Sequence, residues 1–269
     1  MLASDRQRQT FEARGWLVFD TDPQVVDWVD HAHPAAQVAV RNPDLARWLD
    51  CDGTWFVGVD ALPNDEQGRV GNSAPLAGRA VDFITDHMGG LPPLHAAQVS
   101  VVYPGYPRPR HGESDGAARY RRKRDAAHVD GLRAIGPERR RYLREPHGFI
   151  LGLPLTVAAP SAAPLVVWEG SHIAMREAFA TAFARHAPKD WRDIDVTDIY
   201  VAARKRVFET CRRVPLPAKP GQAVLLHRMA LHGVAPWPAG AKADPDGRMV
   251  AYFRPEIPGG NYAWLTAQP

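Results

Sequence analysis

The chain has 269 residues, a length that suits one large domain with a sizeable core. Its composition, 45% hydrophobic and 23% charged, is that of a globular protein, and a net charge of +3 indicates little about partners. The N-terminal residues are polar and charged, and no apolar run is long enough to cross a bilayer, so we expect neither a signal peptide nor a membrane span. Cys51 and Cys211 form no CxxC motif, so a reducing, cytoplasmic setting is expected.

The first third of the chain carries helix signals. Asp or Asn before proline is a capped helix start, and glycine commonly follows a helix end. On these signals the sequence predicts a helix over 4–14 that ends at Gly15, a strand over 16–19, helices that start at Asp22-Pro23 and at Asn42-Pro43, and a helix over 75–88.

The remainder consists of short apolar runs broken by proline and glycine, which predict strands rather than a helical bundle. The predicted strands lie near 96–103, 126–130, 148–157, 164–168, 222–227 and 248–254. Two helices, at about 173–186 and 197–212, interrupt them, and 108–125 is expected to be a long mobile loop. The pattern predicts one domain over 1–269, with a helical N-terminal third packed on a β core.

His128-Val129-Asp130 is the first candidate for a site. On a strand, residues at i and i+2 point to the same face. A histidine from a distant strand would then complete two imidazoles and one carboxylate on one side of a metal, the ligand set of non-heme Fe(II) oxygenases. An HxD sequence is common, so by itself it indicates an ordinary surface segment without a metal. The interpretation as a metal site depends on the surrounding sequence.

Two later histidines, His227 and His232, compete for the third position. They are five residues apart, so on a continuous strand they would face opposite sides. His227 ends the apolar segment 222–226 and is interpreted as a structural histidine. His232 is therefore the predicted ligand.

Arg248 and Arg254 begin and end an alternating β segment. A buried arginine on a strand needs an anion nearby, and the planar guanidinium suits a carboxylate. Without the upstream histidines and aspartate, a solvated arginine at a strand edge would be an equally good interpretation.

In this order, these blocks resemble the phytanoyl-CoA dioxygenase-like branch of Fe(II)/2-oxoglutarate oxygenases. The resemblance runs in scattered blocks from about residue 11 to 254, and it includes 11–18, the segment 165–172 that ends in Gly170-Ser171-His172, the HxD sequence, His232 and Arg248. Trp168-Glu169 stands where proline is common in that family. The resemblance implies a mainly β fold with flanking helices around a double-stranded β-helix (jelly-roll, cupin-like) core.

The resemblance also implies site roles. His128, Asp130 and His232 would be the catalytic Fe(II) ligands, and Arg248 would bind the distal carboxylate of the cosubstrate 2-oxoglutarate. The expected activity is that of a dioxygenase that hydroxylates a small organic substrate. The loop between His232 and Arg248 is long, so Arg254 remains the alternative.

Gln98 and Tyr103 are candidate helper residues, which would make further contacts to 2-oxoglutarate. Two rival functions also stay open: a cupin-type metalloenzyme that does not use 2-oxoglutarate, and an inactive jelly-roll binding module. A Gly-x-Ser-x-Gly match at 112–116 lacks the preceding apolar strand of a serine hydrolase.

Nine basic residues flank the HxD sequence. They are Arg119, Arg121, Arg122, Lys123, Arg124, Arg139, Arg140, Arg141 and Arg144. Solvated loops are the simpler interpretation, and an electropositive rim for an anionic small-molecule substrate is the functional one. Nucleic acid ranks last as a partner, because no aromatic residues are interleaved for base stacking.

Overall fold

The structure, a computed structural model, describes residues 3–267, which form seven α-helices and twelve β-strands. The helices are α1 (Ala3–Arg14), α2 (Pro23–Arg41), α3 (Arg79–Met88), α4 (Asp115–Lys123), α5 (Ser171–Phe183), α6 (Thr197–Thr210) and α7 (Gly260–Thr266). The strands are β1 (Trp16–Phe19), β2 (Leu49–Asp50), β3 (Trp55–Phe56), β4 (Gln98–Val102), β5 (Leu132–Ile135), β6 (Arg140–Leu143), β7 (Phe149–Pro154), β8 (Leu165–Trp168), β9 (Arg213–Leu216), β10 (Ala223–His227), β11 (His232–Val234) and β12 (Arg248–Phe253).

Two antiparallel sheets form the core of the molecule. The large sheet has the order β1-β10-β7-β12-β4-β3-β2, and the small sheet has the order β11-β8-β9. Apolar side chains from both sheets meet in one buried cluster, formed by Ile150, Leu165, Val167, Leu216, Val224, Leu226, Ala230, Val250 and Tyr252. Two facing antiparallel sheets joined by long crossovers make a double-stranded β-helix with flanking helices, as the sequence predicted.

The N-terminal helices cover the outer face of the large sheet. Trp28 of α2 packs on Phe253 of β12 with ring centroids 5.9 Å apart, and Phe83 of α3 packs on Phe19 of β1 at 5.8 Å. The Trp28 indole N–H also donates to the Gly68 carbonyl at 2.7 Å, so the only polar group of this buried side chain is satisfied. The helices therefore cover the outer face of the large sheet, and its inner face is turned toward the small sheet.

Local signals in the sequence set several helix boundaries correctly. The Asp22 carboxylate accepts the Gln24 N–H at 3.0 Å and begins α2. Gly15 ends α1 with φ +76°, and a Cβ there would lie 2.4 Å from the His172 ring, so only glycine fits. Gly89 ends α3 in the left-handed conformation.

Four predicted elements differ in the structure. The helix from Asn42 is a 3-10 helix over Pro43–Trp48, and the helix predicted over 75–88 begins only at Arg79, because Gly78 (φ +112°) breaks it. The strand predicted over 126–130 is wrong, since Asp125 and Ala126 have positive φ and only one β-bridge forms there. The loop predicted over 108–125 is also wrong, because it contains α4.

Other parts of the chain had no sequence prediction. They include β2, β3, the β5–β6 hairpin, β9 and α7. His31 and His33 lie well inside α2, which continues through Pro34 to Arg41. Cys51 and Cys211 are free thiols. Within residues 3–267, no helix combines the length and apolar character that crossing a membrane requires.

Candidate metal centre

The two histidines of the candidate site face each other across a β-bridge. The N–H of His128 donates to the carbonyl of His232 at 2.8 Å, and the N–H of His232 donates to the carbonyl of His128 at 3.0 Å. This reciprocal pairing places their side chains on the same side, with ring centroids 4.6 Å apart. His232 also begins β11 and pairs with Val167 of β8, so the small sheet fixes its position.

Two glycines allow the chain to approach this closely. A Cβ on Gly233 would lie 2.1 Å from the Asp125 carbonyl, which accepts the Val234 N–H at 2.9 Å. Gly131, directly after the HxD sequence, has φ +84°, and a Cβ there would lie 2.2 Å from the Glu145 carbonyl. Only glycine fits at either position, so each site segment has a glycine directly after its candidate ligand, Asp130 or His232.

The structure brings together the three predicted ligands. The Nε2 atoms of His128 and His232 lie 3.1 and 3.8 Å from Oδ1 of Asp130, and one ligand atom from each residue lies within 4.8 Å of the others. Each imidazole places Nδ1 at 3.0 or 2.9 Å from a backbone carbonyl two residues earlier, at Ala126 or Ala230. A carbonyl only accepts, so Nδ1 carries the hydrogen and Nε2 keeps a free lone pair for a metal.

The charges around Asp130 favour its ionised form. The side chain is 10% exposed, and Oδ2 lies 3.4 Å from Nη1 of Arg254. Burial would raise the pKa of this carboxyl, but Arg254, His128 and His232 together hold it well below its usual range. Burial lowers the pKa of His232 to about 4. The His128 side chain is 47% exposed. Burial lowers its pKa, but the hydrogen bond to Asp130, the charge of Asp130 and the Ala126 carbonyl together outweigh burial and raise it.

These shifts predict how metal affinity depends on pH. A metal binds the neutral imidazole, so a proton on His128 competes with it. Because the pKa of His128 is raised, we expect Fe(II) affinity to fall as the pH decreases from above its ordinary value of about 6.5. His232 stays neutral down to about pH 4 and contributes nothing to this loss. Anaerobic Fe(II) titrations between about pH 8 and pH 5 measure this loss of affinity. An Fe(II) affinity that does not change over this range would contradict the prediction.

A cavity of about 190 Å³ opens beside the three ligands, between the two sheets. Most of its walls are apolar or aromatic, formed by Trp55, Val57, Val59, Tyr106, Ile150, Leu165, Val234 and Tyr252. Gln98 and Ser100 of β4 also line it, whereas Tyr103 packs in the core beyond the sheet. Of the two guessed helper residues, only Gln98 therefore lies in the cavity.

Arg248 begins β12 and Arg254 directly follows its last residue, and the two lie on the same side of the chain at opposite ends of the strand. Arg254 lines the metal cavity, and Arg248 lines a much smaller cavity of about 10 Å³. Tyr252 and Leu165 are walls of both cavities. Within residues 3–267, Nη1 of Arg248, Oη of Tyr252 and Nε of Arg254 are buried without a hydrogen-bond partner. The alternation of β12 would have been enough to place Tyr252 on this face, but this residue was not singled out from the sequence.

His227 points away from the metal cavity. Its ring lies 4.7 Å from that of His172, and its Nδ1 accepts the Met229 N–H at 3.0 Å. His227 is kept from the metal cavity for a reason other than the predicted one, which was that His227 and His232 face opposite sides of one strand. The chain turns after His227, where the Ala230 N–H donates to the His227 carbonyl, so His227 and His232 lie on strands of different sheets and strand parity does not apply.

Most of the nine flanking basic residues have partners, so they are not two solvated loops. Arg121 is buried against Glu113, and Arg124 lies 4.6 Å above the Phe208 ring. The later cluster lies in or beside the β5–β6 hairpin and is held partly by acids, which include Asp195, Asp198 and Asp193. None of the nine lines the metal cavity. The exposed ones are Arg119, Arg122, Lys123, Arg124 and Arg139.

No protein-family model matches the chain, and no curated protein matches it. Among solved structures it is similar to EvdMO1, with 14% identity over 93% of this chain and 49% of that chain and a TM-score of 0.48. The chain thus spans about half the length of EvdMO1.

Two further solved structures are similar to this chain. One is EctD from S. alaskensis with 2-oxoglutarate and 5-hydroxyectoine, with 16% identity over 94% of this chain and 75% of that one and a TM-score of 0.46. The other is the epimerase SnoN with Fe3+, alpha ketoglutarate and nogalamycin RO, with 13% identity over 94% and 82% and a TM-score of 0.49. The narrower resemblance to the phytanoyl-CoA dioxygenase-like branch stays a prediction.

Proposed function

We propose that the protein is a non-heme Fe(II)/2-oxoglutarate-dependent oxygenase that acts on a small organic substrate. The observation that carries the proposal is the convergence of His128, Asp130 and His232 within 4.8 Å of one another. Two imidazoles and one carboxylate on one side of a metal leave its other positions open, which is characteristic of this enzyme class.

The residues present fit Fe(II). Both imidazoles have the tautomer that a metal requires, and Asp130 is ionised. Arg254 lies against Oδ2 of Asp130, so the carboxylate offers Oδ1, which faces both histidines. When bound, Fe(II) with 2-oxoglutarate would activate O2 for oxidation of the substrate. The chain's own contribution is to hold the ligands, to orient the cosubstrate and to shield the cavity from water.

In this proposal Arg248 holds the distal carboxylate of 2-oxoglutarate. Buried polar groups without partners destabilise a folded protein. Nη1 of Arg248 and Oη of Tyr252 are such groups, on the face of β12 that lines both cavities. A carboxylate between them would satisfy both. Arg254 is the alternative, because it lines the metal cavity itself.

The cavity supports a small substrate with apolar surface, since its walls are mostly apolar and its volume is about 190 Å³. The proposal of an anionic substrate now depends on the exposed residues of α4, chiefly Arg119 and Arg122. α4 ends just before Asp125 and Ala126, which line the cavity. In this proposal these two arginines attract an anionic substrate toward the cavity.

This placement predicts a salt-dependent affinity for substrate. The attraction of exposed charges is screened over about 10 Å at 0.1 M salt and about 3 Å at 1 M. Apparent substrate affinity should fall with added salt, and R119E/R122E should weaken it further, whereas R185E, at an exposed arginine just beyond α5, should not. Arg121 is unsuitable for this test because it pairs with the buried Glu113. Equal turnover of a neutral substrate at low and high salt would contradict the prediction.

The function is tested by incubating the protein with Fe(II), 2-oxoglutarate and O2 and measuring succinate. We expect succinate from the wild type and none from H128A. Bound Fe(II) without succinate would favour a cupin-type metalloenzyme that does not use 2-oxoglutarate. Failure to bind Fe(II) at all would favour an inactive binding module.

A further inference from the structure

A second cavity, of about 210 Å³, lies on the outer face of the large sheet. Adjacent residues of β7 point to opposite faces, so Ile150 lines the metal cavity and Phe149 lines this one. The metal site uses none of its residues. We name it the outer cavity; its walls include Phe11, Phe83, His87, His227, Arg228 and Ile257.

The outer cavity is lined by two imidazoles, His227 and His87, which have buried ring nitrogens without a hydrogen-bond partner in residues 3–267. His227 is 1% exposed, and its Nδ1 accepts the Met229 N–H at 3.0 Å. A neutral imidazole that accepts at Nδ1 carries its hydrogen on Nε2, and that Nε2 has no partner within residues 3–267. Both ring nitrogens of His87 are also buried without a partner. The cavity wall thus has an unsatisfied donor next to apolar rings.

Arg228 adds a buried positive charge to the same wall. It is 3% exposed, and its Nε and Nη2 donate to the carbonyls of Trp264 and Ala267 at the end of α7. The helix end offsets part of the charge. Nη1 donates to no residue in 3–267, and Arg228 forms no ion pair with a carboxylate in that range. A buried cation without a counter-ion is costly, which favours an anionic ligand.

The charged groups nearest to these side chains reinforce that preference. Burial lowers the pKa of both His227 and His87, and Arg228 adds to this at both rings, together with Arg176 at His227 and Arg8 at His87. These imidazoles are therefore neutral at neutral pH. Arg176 is the other charged neighbour of Arg228, and it is also positive. A cationic ligand would therefore be repelled.

We propose that the outer cavity binds a small carboxylate with an apolar or aromatic body. The carboxylate would accept hydrogen bonds from Arg228 and from Nε2 of His227, and the body would lie among Phe11, Phe83 and Ile257. The size fits, because a cavity of about 150 Å³ lined by apolar side chains holds benzene, and this one is larger and has polar groups in its wall.

The test is calorimetric titration of the full-length protein with benzoate, in excess 2-oxoglutarate so that any carboxylate position in the metal cavity is filled. Benzamide has nearly the shape of benzoate but no charge, and benzylamine carries a positive charge instead of a negative one. We expect saturable binding of benzoate, at least about 10-fold weaker binding of benzamide, and none of benzylamine. No saturable binding of benzoate, or equal binding of benzoate and benzamide, would overturn the proposal.

Two variants locate the bound ligand. R228Q removes the charge, and we expect it to weaken benzoate binding by at least about 10-fold. Because Arg228 also anchors α7, H87F serves as the second variant: it replaces unsatisfied nitrogens with an apolar ring, should leave the fold intact, and should change benzoate affinity. Wild-type affinity in both variants, or loss of binding in R248A with retention in R228Q, would overturn the proposal.

Discussion

Alanine at His128, Asp130 or His232 is expected to abolish tight Fe(II) binding and 2-oxoglutarate turnover. Each substitution removes one of three converging ligand atoms, and losing even a group that only supports a ligand costs about 10- to 100-fold in metal affinity. We therefore expect a loss of at least about 100-fold for each ligand. Anaerobic Fe(II) titration followed by metal analysis measures it, and a thermal melt checks that each variant is folded.

The matched control is H227A, which removes another buried histidine only five positions from His232. Its ring contacts His172 on the far side of the large sheet, so Fe(II) affinity should stay within a few fold of the wild type. If H227A is folded and loses Fe(II), or if H232A keeps it, the ligand assignment is wrong.

Alanine at Arg248 should raise the dissociation constant of 2-oxoglutarate while Fe(II) affinity stays nearly unchanged. A hydrogen bond to a charged group contributes about 1.5–3 kcal/mol, which corresponds to roughly a 10- to 150-fold change. Fe(II) affinity is spared because Arg248 lines a separate small cavity and contacts none of the three ligands. Anaerobic titration of the Fe(II)-loaded protein, followed by its visible absorption, measures the change.

Arg254 should give a different pattern from Arg248. Nη1 of Arg254 lies 3.4 Å from Oδ2 of Asp130, so R254A removes a charge that keeps this ligand ionised and in place. We therefore expect the main effect of R254A to be weaker Fe(II) binding. R185A, at an exposed arginine beyond α5, should change neither affinity. Unchanged 2-oxoglutarate affinity in R248A, with a loss in R254A at saturating Fe(II), would move the cosubstrate role to Arg254.

The sequence was most informative where one residue and its near neighbours decide the structure. Asp22 begins a helix because its side chain accepts a backbone N–H two residues on, and Gly15 ends one because only glycine fits there. The alternating pattern of the segment 248–254 placed Arg248 and Arg254 on one face. These features depend on backbone conformation and short-range hydrogen bonds, so they can be predicted from the chain alone.

Predictions were wrong where long-range packing overrides local preference. The segment 126–130 looked like a strand, but Asp125 and Ala126 adopt positive φ, and the segment is held by one bridge to His232 and a contact at Gly233. The polar stretch 108–125 looked like a loop, yet Ser114 caps α4 and Arg121 is buried against Glu113. His232 and Gly233 are far from the segment 126–130 in sequence, so local patterns do not show these contacts. The contacts of α4 are short-range, and its Ser114 cap is a local signal that was missed in the sequence.

The sequence by itself determined which residue types were available for a site: an HxD sequence, a second histidine and two arginines on one strand. Only the tertiary structure decided their arrangement. The pairing of His128 with His232 depends on the small sheet, and the turn after His227 sends that histidine to the other side of the large sheet. The contact between Arg254 and Asp130 likewise joins distant segments. The physical reason is that these contacts form only when β-strands from distant parts of the chain pair and pack.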